Sequence, residues 1–388
     1  MKENASSPSN EKKTSLKRAK KSCGPLNMRL EGGQTIEKAS ITYNTWGNLN
    51  RDKSNAILVC HALTGDQYAA GINPVTKKDG WWKNIIGPNN ILDTNKYFII
   101  CPNILGGCMG TTGPSSINEN INKIYGMSFP IFTIKDIVNM QVKLIDHLKI
   151  KKLFCVLGGS MGGMQVLEWA SSHPDRIYTA IPIATSYRHT AQNIAFHEVG
   201  RQAIMNDPNW NKGNYYNSPN QPKHGLSVAR MIAHITYLSE GAFQQKFGRD
   251  MQNKVLSWGF DADFQVESYL RHQGISFVDR FDSNCYLYLT RAMDYFDLEN
   301  QYKGDLALAF KNASCKFLLI SFSSDWLFPT SEHQTIIKAL NKVGADSSFI
   351  EIQSDKGHDS FLLDVPDFHK TLKGFIEGAA NKKGLNNL

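Results

Sequence analysis

No apolar run in this sequence approaches the ~18 residues that a membrane-spanning helix needs, and no secretory apolar segment follows Met1. Cysteine is sparse and unpaired. The seven residues Cys23, Cys60, Cys101, Cys108, Cys155, Cys285 and Cys315 are an odd set with no Cys-x-x-Cys pair. Several lie in strand-like apolar runs such as Leu153-Phe-Cys-Val-Leu157. The expectation is therefore buried, reduced thiols in a cytoplasmic protein, with no disulfide framework and no cysteine metal site. A chain of 388 residues can build its core without such staples. It has room for one large α/β domain with an insertion, or for two modest domains.

A strong charge of either sign is also missing from most of the chain. The formal net charge is +8, but residues 1–24 carry seven basic side chains against Glu3 and Glu11, so that segment holds +5 and the remainder only +3. The segment is rich in Ser, Lys and Asn and poor in apolar residues, too poor to bury a core of its own. It reads as a disordered basic tail rather than a nucleic-acid-binding or membrane-contacting arm. The two glutamates and the missing amphipathic face argue against a transit peptide. Neither nucleic acid nor membrane is expected as a partner.

What the chain does contain is alternation of buried strands and amphipathic helices. Ala56–His61 and Tyr97–Cys101 are short continuous apolar runs, the mark of strands covered on both faces. Ile134, Ile137, Val138, Leu144, Ile145 and Leu148 recur at helical spacing. A strand at Leu153–Leu157, a Gly-rich turn, a helix over about 161–171 and a strand at Thr179–Ala184 follow. The pattern resumes with a strand at Phe317–Phe322, a helix around Ile336–Val343, a strand at Ser348–Ile352 and a closing helix. Such alternation implies a mostly parallel sheet in the α/β class. Residues 186–300 differ: they are poor in β-branched runs, carry helical segments such as 227–238 and 283–295, and hold an Asn/Pro loop at 207–222. They read as an all-helical insertion. The expected organisation is a tail at 1–24, a core built from 25–185 and 301–382, and a helical lid at 186–300.

One local pattern carries chemistry. Gly158-Gly-Ser160-Met-Gly162 follows a buried strand and opens a helix, the context of a nucleophile elbow in an α/β-hydrolase fold. Side chains at the flanking glycines would collide with neighbouring elements, and the serine sits at a helix N-terminus that favours negative charge. Ser160 is the expected nucleophile. It needs a base and an orienting acid, in the chain order Ser, acid, His. Asp325 stands just past the strand Phe317–Phe322, and His358 just past Ser348–Ile352, at the sheet edge where ligands gather. His333 and His369 lie on helices and are expected to be packing or surface residues. Two backbone N–H groups should form an oxyanion hole: that of Met161, and that of Leu63 in the loop His61–Gly65. Asp359, next to the base, is free to hold an ammonium group.

The wider pattern resembles the homoserine O-acyltransferases of the α/β-hydrolase fold. The resembling blocks are Leu58–Gly65, Leu105–Pro114, Leu157–Gln165, Gly200–Ile204, Ala229–Ile232 and Asp355–Asp359, spread over residues ~28–378. The resemblance implies a Ser160/Asp325/His358 triad that takes an acyl group from acyl-CoA and passes it to L-homoserine. It also implies that Arg230 binds the substrate carboxylate, that Asp359 binds the amino group, and that homodimers form through the lid. Acyl-CoA is then a co-substrate, with no resident cofactor or metal. Succinyl users of the family often carry an arginine two residues after the triad acid. Leu327 stands there, which points to acetyl. A homoserine O-succinyltransferase, a serine O-acyltransferase or a serine esterase of this fold would share the triad.

Overall fold

The computed structural model describes residues 21–385. Eight strands form one sheet: β1 (Lys21–Arg29), β2 (Thr35–Trp46), β3 (Ala56–Cys60), β4 (Phe98–Pro102), β5 (Leu153–Gly159), β6 (Ile177–Ile183), β7 (Lys316–Phe322) and β8 (Ser347–Ile352). Their order across the sheet is β1-β2-β4-β3-β5-β6-β7-β8. β2 pairs antiparallel with both neighbours, and every other pairing is parallel.

The central strands are apolar throughout because both faces are covered. Leu58, Val156, Ala180 and Leu319 point to one side, where they join α1 (Ile134–His147), α2 (Met161–Ser172) and α10 (Thr330–Lys342) in a common core. Their chain neighbours Ile57, Leu157, Ile181 and Ile320 point to the other, against Phe368, Leu372 and Ile376 of α11 (Pro366–Lys383). All seven cysteines are buried free thiols. No helix among the described residues is long and apolar enough to cross a membrane.

Two boundaries differ from the sequence reading. Residues 1–20 lie outside the described residues, but Lys21–Gly24, assigned to the tail, open β1. Lys21 pairs with Tyr43 and Cys23 with Ile41. Burial explains the difference: Cys23 and Met28 are sealed against the core, while Lys21 and Ser22 stay exposed on an edge strand, where exposed lysine is at home. The helical stretch also runs past residue 300. Between β6 and β7, residues 184–315 hold α3 (Ala191–Met205), α4 (Lys223–Tyr237), α5 (Glu240–Lys246), α6 (Gln265–Val278), α7 (Ser283–Asp294), α8 (Leu298–Gln301) and α9 (Leu306–Ala309), and no strand of the sheet. This insertion leaves from the sheet edge at which β3, β5, β7 and β8 end, and it covers that edge.

Candidate active site

Ser160 joins β5 to α2 with φ 60° and ψ −126°, a conformation that L-residues rarely adopt. Holding it costs about 1–3 kcal/mol, and the surroundings enforce it. Its N–H donates to Ile183 O at 3.0 Å, and its carbonyl accepts from Gly163 N and from Thr185 Oγ1, both at 2.8 Å. The flanking glycines are required by space: a Cβ on Gly158 would lie 2.4 Å from Cys60 O, and one on Gly162 2.1 Å from the same atom. The turn can therefore press against β3 only without side chains, which leaves the Ser160 hydroxyl standing above the sheet edge.

Asp325 and His358 meet across the ends of β7 and β8. Asp325 Oδ1 accepts the Leu327 and Phe328 N–H groups at 3.0 and 2.9 Å. Its Oδ2 accepts the His358 Nδ1–H at 2.8 Å. The proton on Nδ1 leaves Nε2 with its lone pair. Both residues are buried, and the rings of Phe328, Phe361 and Tyr237 surround the imidazole. Burial by itself would push the His358 pKa down. The Asp325 charge and hydrogen bond, helped by Asp359, outweigh it, and the net direction is above the ordinary 6.5. Ser160 and His358 share the walls of one cavity of about 80 Å³, with no hydrogen bond yet formed between them.

Leu63 lines the same cavity, in a tight turn closed by a hydrogen bond from Gly65 N to Ala62 O at 2.9 Å. Met161 is the first residue of α2. Neither N–H has an acceptor among the described residues, so both remain available for an oxyanion beside Ser160.

Arg230 and Asp359 complete this cavity. The Arg230 guanidinium lies 4.7 Å from the Phe277 ring centroid and 5.5 Å from that of Tyr237, and Nη1 donates to Thr64 Oγ1 at 3.2 Å. Burial raises the Asp359 carboxyl above the usual range, although His358 and Arg230 pull it partly back. The two groups form no ion pair with each other or with any other side chain among the described residues. One small cavity thus offers an unpaired cation, an unpaired anion and a serine hydroxyl together. That set suits a zwitterion bearing a reactive group.

All seven residues expected at the site are therefore gathered at one sheet edge. Sequence reasoning missed Tyr237, whose ring touches both Arg230 and His358. The signal was there, since positions 230 and 237 are two helical turns apart on one face of α4. It also missed a second, mostly apolar cavity that reaches Ser160, lined by Leu63, Ile232, Leu327 and Phe328. The competing histidines do not face the Ser160 hydroxyl: His333, wholly buried on α10, accepts from Thr185 N at 3.4 Å behind the elbow, and His369, on α11, faces Asp364.

One further polar cluster lies at the far wall of that apolar cavity. Asp294 Oδ1 accepts from His189 Nδ1 and His197 Nδ1 at 3.1 and 2.9 Å, and Oδ2 from Arg201 Nη1 at 2.6 Å. Burial pushes Asp294 up, and these donors outweigh it and hold the carboxyl well below its ordinary range. Both Nδ1 atoms present protons to the carboxylate rather than lone pairs to a metal. The cluster ties α3 to α7.

Comparison with known proteins agrees with this geometry. Residues 55–365 match the model of the alpha/beta hydrolase fold family. The chain is 59% identical over 360 residues to the homoserine O-acetyltransferase of Mesorhizobium japonicum, covering 92% of each chain. It is 57% identical over 364 residues to that of Rhodospirillum rubrum, covering 94% of this chain and 93% of the relative. Among solved structures, the homoserine O-acetyltransferase of Bacillus anthracis superposes with a TM-score of 0.83 at 29% identity, over 90% of this chain and 95% of that one. Esterase E22 superposes almost as well, at 0.82 and 29%, over 90% and 97%. Sequence identity decides between the two names: the chain belongs to the homoserine O-acetyltransferase family of the α/β-hydrolase fold.

Proposed function

We propose that this chain transfers an acetyl group from acetyl-CoA to the side-chain hydroxyl of L-homoserine, through an acyl-serine intermediate, in methionine biosynthesis. The observation that carries the reading is the pairing of unneutralised Arg230 and Asp359 in the Ser160 cavity. A simple ester needs neither, whereas an α-amino acid needs one cation for its carboxylate and one anion for its ammonium.

Each step uses a group already in place. His358 Nε2 takes the proton from Ser160 Oγ as that oxygen attacks the thioester carbonyl. The Leu63 and Met161 N–H groups hold the resulting oxyanion. Collapse breaks the C–S bond, and the imidazolium returns its proton to the departing thiolate. The homoserine hydroxyl then gives its proton to His358 and attacks the acyl-serine. The second oxyanion collapses, and Ser160 Oγ leaves and takes the proton back. Water is the competing nucleophile. Holding homoserine by both ends supplies the effective concentration that favours its hydroxyl, and the helical insertion over the sheet edge limits solvent access.

Leu327, on the wall of the apolar cavity beside Ser160, supports acetyl over succinyl, because this side chain offers no cation to a succinyl carboxylate. The apolar side chains Val199 on α3, Ile235 on α4 and Ile275 on α6 are well exposed, which supports dimerisation through the insertion. The buried free cysteines favour a cytoplasmic setting.

The test is Arg230→Ala. CoA release from acetyl-CoA in the absence of acceptor should change less than threefold, while kcat/KM for homoserine should fall 100-fold or more, about 3 kcal/mol for a lost charged contact. Equal losses in both half-reactions would remove Arg230 from the acceptor site. Efficient use of L-serine or succinyl-CoA in the same assay would move the reading to those substrates.

A further inference from the structure

A wider cavity adjoins the one that contains Ser160. It measures about 350 Å³ against about 80 Å³, and Thr76, Lys78, Arg230, Gln273, Asp279 and Arg280 are on its wall. Arg230 lines both, so the two adjoin along its side chain. The acceptor accounts for Arg230 but not for the rest of this lining, and the outer cavity has more than four times the room of the inner one.

Its charge is unusual. The guanidiniums of Arg230 and Arg280 lie over the same Phe277 ring, at 4.7 and 5.2 Å from its centroid. Both are fastened to Thr64: Arg230 Nη1 donates to its Oγ1 at 3.2 Å, and Arg280 Nη1 to its backbone oxygen at 2.9 Å. Burial, and then the charge of Arg230, push the Arg280 pKa below its ordinary value, so the neighbours repel. No carboxylate lies within ion-pairing distance of Arg230, Arg280 or Lys78 among the described residues. Asp279, exposed at the rim, offsets one charge of the three. Two guanidiniums side by side, each partly withdrawn from water and without an ion-pair partner, repel one another, and an anionic ligand between them relieves that repulsion.

We propose that the outer cavity receives the phosphate-bearing end of the acyl donor, with Arg280 and Lys78 as its phosphate ligands. This rests on the acetyl-CoA reading above. The donor has its thioester at one end of a neutral arm and its phosphates at the other, so a small cavity at the nucleophile and a wide cationic one outside match its two ends. Guanidinium binds phosphate through paired N–H groups, and the Lys78 ammonium adds a point charge at the mouth. The same pair raises the local concentration of the polyanionic donor, in a salt-dependent way.

The experiment compares three acetyl donors, acetyl-CoA, acetyl-dephospho-CoA and S-acetylpantetheine, on the wild type, Lys78→Gln and Arg280→Gln. For each variant, kcat/KM with acetyl-CoA should fall about tenfold, as for a lost charged hydrogen bond. With S-acetylpantetheine, which has no phosphate, it should fall less than twofold, and KM for homoserine should stay constant. Adenosine 3′,5′-bisphosphate should compete with acetyl-CoA and bind more weakly to both variants. Lys78 is exposed, so its variant keeps the test valid if Arg280→Gln fails to fold. Equal losses on all three donors, an unchanged acetyl-CoA response, or a shift confined to homoserine would each overturn the assignment. A wild type that acetylates homoserine from none of the donors would instead overturn the acetyltransferase reading itself.

Discussion

Replacing Asp325 by Asn changes one heavy atom, and the hydrogen bonds around it decide the consequence. Oδ1 accepts two backbone N–H groups, from Leu327 and Phe328. In the variant the amide oxygen must keep that position, because an NH₂ there would face two donors. The NH₂ group is then turned to His358 Nδ1, now at 2.8 Å from Oδ2. Nδ1 must become an acceptor, and the imidazole proton moves to Nε2, where Ser160 needs a lone pair. In the triad template, the same change in tautomer lowers kcat by roughly 10⁴, equivalent to about 5.5 kcal/mol at 1.36 kcal/mol per decade. The pH profile carries an independent sign. His358 now has a pKa above 6.5 because the Asp325 charge and hydrogen bond outweigh burial. The base must be neutral, so wild-type acylation is lost as pH falls through that raised value. Without the carboxylate charge, burial dominates and the midpoint moves below its wild-type position. Single-turnover release of CoA from acetyl-CoA, followed with a thiol reagent across pH, measures both. A midpoint that stays in place or rises, or a loss under tenfold, would refute the hydrogen-bond reasoning.

Two other expectations follow from packing. Gly162→Ala puts a Cβ 2.1 Å from the carbonyl oxygen of Cys60, which is backbone and cannot yield. It should cost about 3 kcal/mol, the upper end for overpacking, and abolish acyl-enzyme formation by intact-mass analysis; a stable, active variant would show that the elbow is not packed against β3. Asp294→Asn removes the buried carboxylate from Arg201, 3% exposed, and leaves it only the half-exposed Glu198. The expected loss is about 1.5–3 kcal/mol, as for a lost hydrogen bond to a charged group, read by chemical denaturation. Because the Asp294 pKa is depressed in the folded state, the wild type has this stabilisation in full above the ordinary value of 3.8 and loses it as pH falls toward the lower folded value.

The N-terminal strands show why part of the fold was hidden from the sequence. β2 alternates only over Ala39, Ile41 and Tyr43, with Lys38 at φ 52° breaking the period after Ile36, and β1 is interrupted by Gly24-Pro25 and two register shifts. A run without a clean period of two gives no strand signal, and its Lys-rich start looks like tail. The histidine–aspartate–arginine cluster was hidden for another reason: its members come from α3, the turn before it, and α7, about a hundred residues apart in the chain. No local spacing encodes that distance.

The nucleophile was readable because every requirement of an elbow is local. A buried strand, two glycines that free it to turn and a helix that starts at the serine all fall within Leu153–Ser172. Asp325 and His358 were readable because chain order and strand ends constrain them almost as tightly. What only the tertiary structure decided is charge balance. Arg230, Arg280 and Asp359 are ordinary charged residues in the sequence, and most such residues find a partner or water. Folding α4 and the segment that follows α6 over the sheet edge leaves these three partly withdrawn from water and without ion-pair partners among the described residues, around cavities of unequal size. Desolvation turns unpaired charge into binding energy, and it depends on what surrounds a side chain rather than on which residues adjoin it in the chain.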